Sequence, residues 1–248
     1  MAEHRFFPEG TVPHVSTPEF HAHRERAPHL EQEVHQGRLH KAFEFVIQAA
    51  QEQAARIDRD PTSLSDRDVT LSDLGCGDGG LLSLLRGVVG LDSWGYDFQP
   101  SNAAGWAERG VEAQETDVFG MYRDLLNIGD ISVTTEVLEH LAMPHQVVRW
   151  IGTRSRYLVA SSPWNETPES HDECHAWGWD QDGYRALIEQ GGFTVVRHET
   201  VGQFQVVLGE RLHDELPAVL SPARRITDPD EAEALGLTAD AKRMRRRS

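Results

Sequence analysis

The sequence predicts an α/β fold in which helices cover both faces of a seven-stranded, mostly parallel sheet whose last strand is antiparallel. Three observations predict it. A glycine-rich turn beginning at Gly75 joins an apolar strand to an apolar helix, short strands and helical segments then alternate, and two final strands are separated only by a short glycine-containing link. The chain of 248 residues has room for one such domain with extensions.

The charge, the cysteine count and the apolar segments of the chain exclude several classes of function. The net charge of −16 argues against a protein that binds nucleic acid through a broad electrostatic surface, and we interpret the basic end, 242–247, as a solvated tail. Two cysteines, Cys76 and Cys174, provide neither a disulfide framework nor a four-cysteine zinc site. No signal-peptide core and no apolar run of roughly 18 residues is present, so we expect a soluble, cytoplasmic protein that does not bind membranes. The sequence predicts no particular oligomeric state.

The region ahead of the first sheet strand divides into three parts. Prolines and glycine at five positions predict irregular structure over residues 1–28: Pro8, Gly10, Pro13, Pro18 and Pro28. An apolar stripe predicts a helix from His29 to about Ile57, and residues 58–68 form a polar connector. We expect the N-terminal segment to form a lid over a cleft at the sheet edge.

The glycine turn lies within Thr70–Gly80 and is followed at once by the apolar stretch Leu81–Leu85. Gly75, Gly77 and Gly79 remove side chains where a ligand would contact backbone N–H groups at a helix N-terminus. The arrangement of strand, glycine turn and helix therefore predicts a nucleotide-type cofactor site.

Two cofactor motifs overlap in this turn. The letters from Gly75 to Gly80 satisfy G-x-G-x-x-G, with Asp97 about where a ribose-binding acid of a dinucleotide site is expected. The letters from Asp73 to Gly79 read D-x-G-x-G-x-G instead. A pyrophosphate disfavours a neighbouring carboxylate, whereas a cationic sulfonium with an α-ammonium group is stabilised by one. Asp73 therefore favours S-adenosyl-L-methionine (AdoMet) over NAD(P).

Strands and helices alternate after the turn. Strand two ends at Asp97, which lies at the carboxyl edge of the sheet and can accept both ribose hydroxyls of an adenosine. Asp117 lies at the tip of strand three, and it either contacts the ligand or caps the short helix predicted over 120–127. The predicted elements are strand Leu91–Phe98, helix Pro100–Gly110, strand Val111–Val118, strand Asp130–Glu136, strand Arg156–Ser161, helix Gln181–Gln190 and the antiparallel strands Phe193–Glu199 and Gln203–Leu208.

Strand four runs directly into the sequence E-V-L-E-H-L. If this stretch is helical, Glu136, Glu139 and His140 share one face at positions i, i+3 and i+4. Two carboxylates and an imidazole at the carboxyl edge of a sheet are suited to a divalent cation such as Mg²⁺, Mn²⁺ or Zn²⁺. The alternative is that Glu136 contacts the cofactor, Glu139 pairs locally and His140 packs in the core.

A long polar and aromatic loop, Ser162–Trp179, follows strand five. Such loops at the carboxyl edge of a sheet carry function more often than not. Either His171 or His175 is a candidate to complete the site. The loop tryptophans form a substrate wall or pack in the core, with the two interpretations equally favoured: Trp164, Trp177 and Trp179.

Residues 69 to about 208 resemble the class I AdoMet-dependent methyltransferases. Asp73–Gly79, Asp97, Asp117-Val118 and the end of strand four come in the order found in that superfamily, which implies a Rossmann-like fold. By this resemblance Asp97 binds the ribose and Asp117-Val118 contact the adenine. The implied cofactor-binding residues are Asp73, Gly75, Cys76, Gly77, Gly79, Asp97, Phe98, Asp117, Val118 and Glu136.

Within the superfamily, the E-x-x-E-H sequence of Glu136–His140 followed by His175-Ala-Trp177 is similar to two groups. One comprises ubiquinone-biosynthesis-type O-methyltransferases. The other comprises RNA 3′-terminal ribose 2′-O-methyltransferases, in which E-x-x-E-H and a distal histidine hold a divalent metal. The resemblance implies that the metal ligands are Glu136, Glu139, His140 and His175, with His171 as the alternative for the last position. Without a metal, His140 or His175 is the candidate catalytic base.

Several functions fit these residues. O-methylation of a small organic molecule leads, because the acidic chain and the aromatic loop suit such a substrate. RNA 3′-terminal 2′-O-methylation comes second, and N- or C-methylation of a small molecule also fits the cofactor motifs. An NAD(P)-dependent oxidoreductase or a non-catalytic AdoMet-binding protein comes last. The predicted organisation is an N-terminal segment over 1–68, an AdoMet-binding core over 69–208 and a peripheral extension over 209–248.

Overall fold

The protein contains one large sheet flanked by helices and one small sheet. The computed structural model describes residues 2–57, 68–117 and 126–211. Within these ranges the strands are β1 (Glu3–Arg5), β2 (Val69–Leu74), β3 (Leu91–Asp97), β4 (Ala113–Glu115), β5 (Ile131–Thr135), β6 (Tyr157–Pro163), β7 (Trp177–Trp179), β8 (Phe193–Val201) and β9 (Phe204–Arg211). The helices are α1 (Pro18–His21), α2 (Glu33–Ile57), α3 (Gly80–Leu85), α4 (Ala103–Arg109), α5 (Pro144–Gly152) and α6 (Gln181–Gln190).

The large sheet has seven strands in the order β4-β3-β2-β5-β6-β9-β8. β4, β3, β2, β5 and β6 pair in parallel, whereas β9 runs antiparallel to both β6 and β8. The short link at Gly202 forces this reversal, because two strands joined by so few residues can only pair antiparallel. The predicted sheet, with its reversed last strand, is confirmed.

Two apolar layers cover the faces of the sheet. Alternate residues of a strand point to opposite faces, so that in β6 Leu158 packs with α5 and α6 while Val159 packs with α2 and α3. The first layer contains Val148 and Leu187, which are fully buried. The prediction of helices on both faces is therefore correct.

The small sheet joins the N-terminus to the end of the Ser162–Trp179 loop. β1 pairs antiparallel with β7, aligning Glu3 with Trp179. The backbone N–H of Ala2 donates to Asp180 Oδ2 at 2.8 Å, and the Asp180 N–H donates to the Ala2 carbonyl. The expectation of irregular structure over residues 1–28 is wrong at β1, because a pairing between segments so far apart in sequence leaves no local signal.

The other differences are small. A single 3-10 turn covers His29–Glu31, and α2 begins at Glu33 rather than His29. The predicted helix over 120–127 lies mostly outside the described residues, as does the extension after Arg211. No helix in the described ranges is both long and apolar enough to cross a membrane. The division into three parts stays a prediction.

Candidate active site

A cavity of about 200 Å³ lies at the carboxyl ends of β2, β3 and β5. Its walls are the glycine turn after β2, the Asp97–Asn102 segment after β3, and the Thr135–Leu141 segment after β5. Parts of the N-terminal segment and the start of α2 close the remaining side. A crevice at this edge of a parallel sheet is where α/β folds bind ligands.

The glycine turn approaches its neighbours too closely for side chains at one position and leaves open space at another. Gly75 has φ +85°, and a Cβ there would lie 2.5 Å from Val137 Cγ2. Gly77 has φ +54°, lines the cavity, and a Cβ there would meet no atom within 4 Å. Trp106 Nε1 donates to the Gly77 carbonyl at 2.7 Å, and this hydrogen bond holds the backbone of the turn in place. The backbone at Gly77 is therefore accessible to a ligand.

Asp97 organises the turn through three hydrogen bonds. Its Oδ2 accepts from the Gly77 N–H at 2.9 Å, and its Oδ1 accepts from the Gln99 N–H at 2.8 Å and from Asn102 Nδ2 at 3.0 Å. Burial raises the pKa of Asp97, while these donors act in the opposite direction. The carboxylate lines the cavity with acceptor capacity remaining. Phe98 lines it too, with His21 packed edge-on 4.8 Å away.

Asp73 and Arg38 carry unpartnered polar atoms at the cavity wall. Asp73 is 1% exposed, and its Oδ1 has no hydrogen-bond partner. Burial, and then the charge of Asp97, raise its pKa to about 7, while Arg38 acts in the opposite direction. Arg38 is also 1% exposed, its Nε and Nη1 have no partner, and Nε lies 4.0 Å from Glu136 Oε1. A buried acid and a buried base with free atoms suit a zwitterionic ligand.

Sequence reasoning missed Arg38, although a signal was present. Arg38 lies on the buried stripe of α2, four residues before Ala42 and seven before Phe45. A charged residue on an apolar helix face is almost never buried without a partner or a function. The helix is predicted from the apolar members of this stripe alone, so that Arg38 is not singled out.

The E-x-x-E-H stretch is not a regular helix, so the shared helical face expected for Glu136, Glu139 and His140 is wrong. Glu136 has φ +56°, and only Leu138–His140 form a 3-10 turn. Glu136 Oε1 accepts from the Ser161 hydroxyl at 2.8 Å. Burial raises its pKa, which Arg38 and Ser161 oppose. A left-handed backbone at a non-glycine residue is uncommon and is typical of functional sites.

Glu139 is completely buried, and neither of its carboxylate oxygens has a hydrogen-bond partner among the described residues. Burial, and then the charge of Glu136, raise the pKa of Glu139 well above its usual range. Leaving such a carboxyl without a partner is costly in a folded protein. Two free oxygens in a buried position are suited to a cation.

His140 and His175 lie together, with ring centroids 4.8 Å apart. His140 Nδ1 is 3.0 Å from the Cys174 carbonyl oxygen, and His175 Nδ1 is 2.8 Å from Glu166 Oε2. Burial and the neighbouring His175 lower the pKa of His140 to about 4, so its ring is neutral near pH 7. The alternative His171 is exposed, stacks on Phe6 at 3.9 Å and does not join this pair.

The other predicted site residues differ in their position relative to the cavity. Cys76 is buried and lines the cavity, whereas Asp117 is exposed and its neighbour Thr116 lines the wall instead. Val118 lies outside the described residues. Trp177 and Trp179 belong to the apolar core, which favours packing over a substrate wall for both.

The N-terminal segment contributes side chains to the cavity. The Ser16 hydroxyl donates to the Cys174 carbonyl at 2.5 Å and lies 3.4 Å from His140 Nδ1. His21 Nδ1 lies 2.7 Å from Gln99 Oε1, beside the Asp97 network. The segment therefore contacts both the region of the glycine turn and the region of the histidine pair.

Comparison with known proteins supports the fold. No protein-family model and no curated protein matches the chain. Among solved structures, magnesium protoporphyrin IX methyltransferase from Synechocystis PCC 6803 with bound SAM is 14% identical, with 77% of this chain and 88% of that chain covered and a TM-score of 0.53.

Two further structures are similar at this level. An O-methyltransferase family protein from Burkholderia thailandensis is 13% identical, covering 85% of this chain and 67% of that one, with a TM-score of 0.53. The CurJ carbon methyltransferase is 13% identical, covering 75% and 57%, with a TM-score of 0.54. The chain thus has the fold of AdoMet-dependent methyltransferases.

Proposed function

We propose that this protein is an AdoMet-dependent methyltransferase that acts on a hydroxyl group of a small organic molecule. The observation that carries the proposal is the cavity at the carboxyl edge of a methyltransferase-type sheet, where Asp73 and Asp97 flank an open glycine turn. Acidic walls suit a sulfonium cofactor and oppose a pyrophosphate.

Each part of the cofactor has a complementary group in the cavity. The Asp73 carboxylate pairs with the α-ammonium group, and the free Arg38 donors pair with the α-carboxylate. Asp97 accepts a ribose hydroxyl in addition to its three protein donors. The methionine part then lies against Gly75 and Gly77, and Thr116 lies on the adenine side.

The residues after β5 fit a divalent cation. His140 and His175 lie close enough to share a cation, and each has Nδ1 beside an oxygen acceptor. If the Nδ1 atoms carry the protons, both Nε2 atoms present lone pairs. Glu136 and Glu139 are candidate ligands by the resemblance alone, because, among the described residues, the ligand atoms that lie within 4.8 Å of one another do not include theirs. A divalent cation bound there supplies positive charge that lowers the pKa of a substrate hydroxyl and orients its oxygen.

The protein's own groups align and deprotonate the acceptor. Methyl transfer forms the O–CH₃ bond as the S–CH₃ bond breaks in line, and S-adenosylhomocysteine (SAH) leaves as the product. Without a bound cation, the hydroxyl proton passes to the ring of His140 or His175. Ser16 and the rest of the N-terminal segment exclude water from this end of the cavity.

RNA 3′-terminal 2′-O-methylation is the second candidate, favoured by the E-x-x-E-H sequence with His175. The net charge of −16 favours the small substrate, because RNA binding depends on phosphate neutralisation.

The test compares two fractions of a cell extract as methyl acceptors, small metabolites and total RNA, with isotopically labelled AdoMet and SAH formation as the readout. We expect labelled methyl only in the metabolite fraction, on oxygen. Labelled RNA alone would contradict the substrate class. Label on nitrogen or carbon would contradict the acceptor atom, and SAH binding without transfer to either fraction would contradict the enzyme assignment.

A further inference from the structure

Cys174 lies beside the two histidines at the substrate end of the cavity. Among the described residues, its Sγ and one ring nitrogen each of His140 and His175 all lie within 4.8 Å of one another. Cys174 lines the cavity and is only partly buried. Neither the E-x-x-E-H sequence nor the His-x-Trp element includes this residue.

The surroundings position these groups as metal ligands need. The Cys174 carbonyl accepts from the Ser16 hydroxyl and lies within hydrogen-bond distance of His140 Nδ1, so the cysteine backbone and the His140 ring are fixed together. The Cys174 N–H donates to Asp172 Oδ1 at 3.0 Å, which fixes the loop on the other side. Glu166 orients His175 in the same way that outer carboxylates orient metal-binding histidines.

We propose that Cys174 is a thiolate ligand of the metal ion, together with His140 and His175. This inference rests on the metal-assisted site of the proposed function. It adds a ligand that changes which metal ions the site prefers. Binding breaks the S–H bond, forms the S–metal bond and releases the proton to solvent. A sulfur and two nitrogens select Zn²⁺ or Co²⁺, whereas Mg²⁺ prefers oxygen ligands alone.

The experiment titrates the full-length, chelator-treated protein with Co²⁺ and records its absorption spectrum. We expect one Co²⁺ per chain, with a thiolate-to-cobalt charge-transfer band in the near ultraviolet. C174S should lose the band, and C76S, which changes the only other cysteine, should keep it. Zn²⁺ should displace Co²⁺, and excess Mg²⁺ should not.

A second variant changes the outer partner of His175. E166Q should keep the charge-transfer band but bind Zn²⁺ roughly tenfold to a hundredfold more weakly in competition with a chromophoric chelator. If C174S does not fold, the band of the wild type and of C76S still assigns the sulfur.

Three results would overturn the inference: Co²⁺ bound without the band, a band that C76S removes, or displacement of Co²⁺ by Mg²⁺. SAH titration of the same samples separates the two proposals. SAH binding with no Co²⁺ uptake would contradict the metal site and support the AdoMet site. Co²⁺ uptake without SAH binding would support the metal site and contradict the AdoMet site.

Discussion

The open space at Gly77 gives a sharp test of where the cofactor binds. Gly77 has φ +54°, and Gly202, in the turn between β8 and β9, has φ +58°; a Cβ at either position meets no protein atom within 4 Å. The left-handed backbone costs an alanine about 1–2 kcal/mol at both sites. Gly77→Ala and Gly202→Ala should therefore lower the melting temperature by similar amounts, about 2–4 °C per kcal/mol.

The two variants should differ in SAH affinity. The Gly77 methyl group would enter the space of the cofactor, and overpacking of this kind costs about 1–3 kcal/mol, which corresponds to a loss of affinity of roughly fivefold to 150-fold. Gly202 does not line the cavity, so its variant should bind SAH as the wild type does.

A third variant tests the packing of the turn itself. Gly75→Ala combines the left-handed backbone with a methyl 2.5 Å from Val137 Cγ2, so it should cost about 2–5 kcal/mol of unfolding free energy. Calorimetric SAH titration and thermal unfolding of all three variants are the assays. Wild-type SAH affinity in Gly77→Ala would refute the assignment of this turn to the cofactor.

Three further predictions concern the charged groups. Because the pKa of Asp73 is about 7 and its ionised form pairs with the cofactor ammonium, SAH affinity should fall as pH drops below 7. Titrations at several pH values should find that Asp73→Asn binds SAH more weakly, with an affinity nearly independent of pH. Arg38→Met should weaken SAH binding by about tenfold or more but leave 5′-methylthioadenosine, which lacks the carboxylate, unaffected in the same calorimeter. Glu139→Leu should raise the melting temperature, since it removes about 1–3 kcal/mol of unmet desolvation. A lower melting temperature would show that the Glu139 carboxyl has a partner in the folded protein.

The parts of the fold with local signals were predictable. The glycine turn, the placement of Asp73 and Asp97 near the ends of their strands, and the reversed β9 follow from residue types within a few positions of one another. The pairing of β1 with β7 could not be predicted, because it joins segments far apart in the chain and depends on their tertiary contact.

The sequence predicted which residues form the candidate site better than it predicted how they are arranged. His140 and His175 come together as the resemblance implied, but the run from Glu136 to Leu141 contains helix-favouring residues, and the local pattern suggested a helix. The left-handed backbone of Glu136 at the end of β5 overrides that preference. Arg38 gave a signal in the sequence, as a charged residue on the apolar stripe of α2, whereas the role of Cys174 depends on the three-dimensional arrangement of the loop.

The most direct test of the account is calorimetric titration of the purified wild-type protein with SAH and, separately, with NADH. We expect the protein to bind one SAH per chain, with an affinity that decreases as the pH drops below 7, and to give no heat of binding with NADH. Binding of NADH without SAH would contradict the account and would reassign the glycine turn to a dinucleotide.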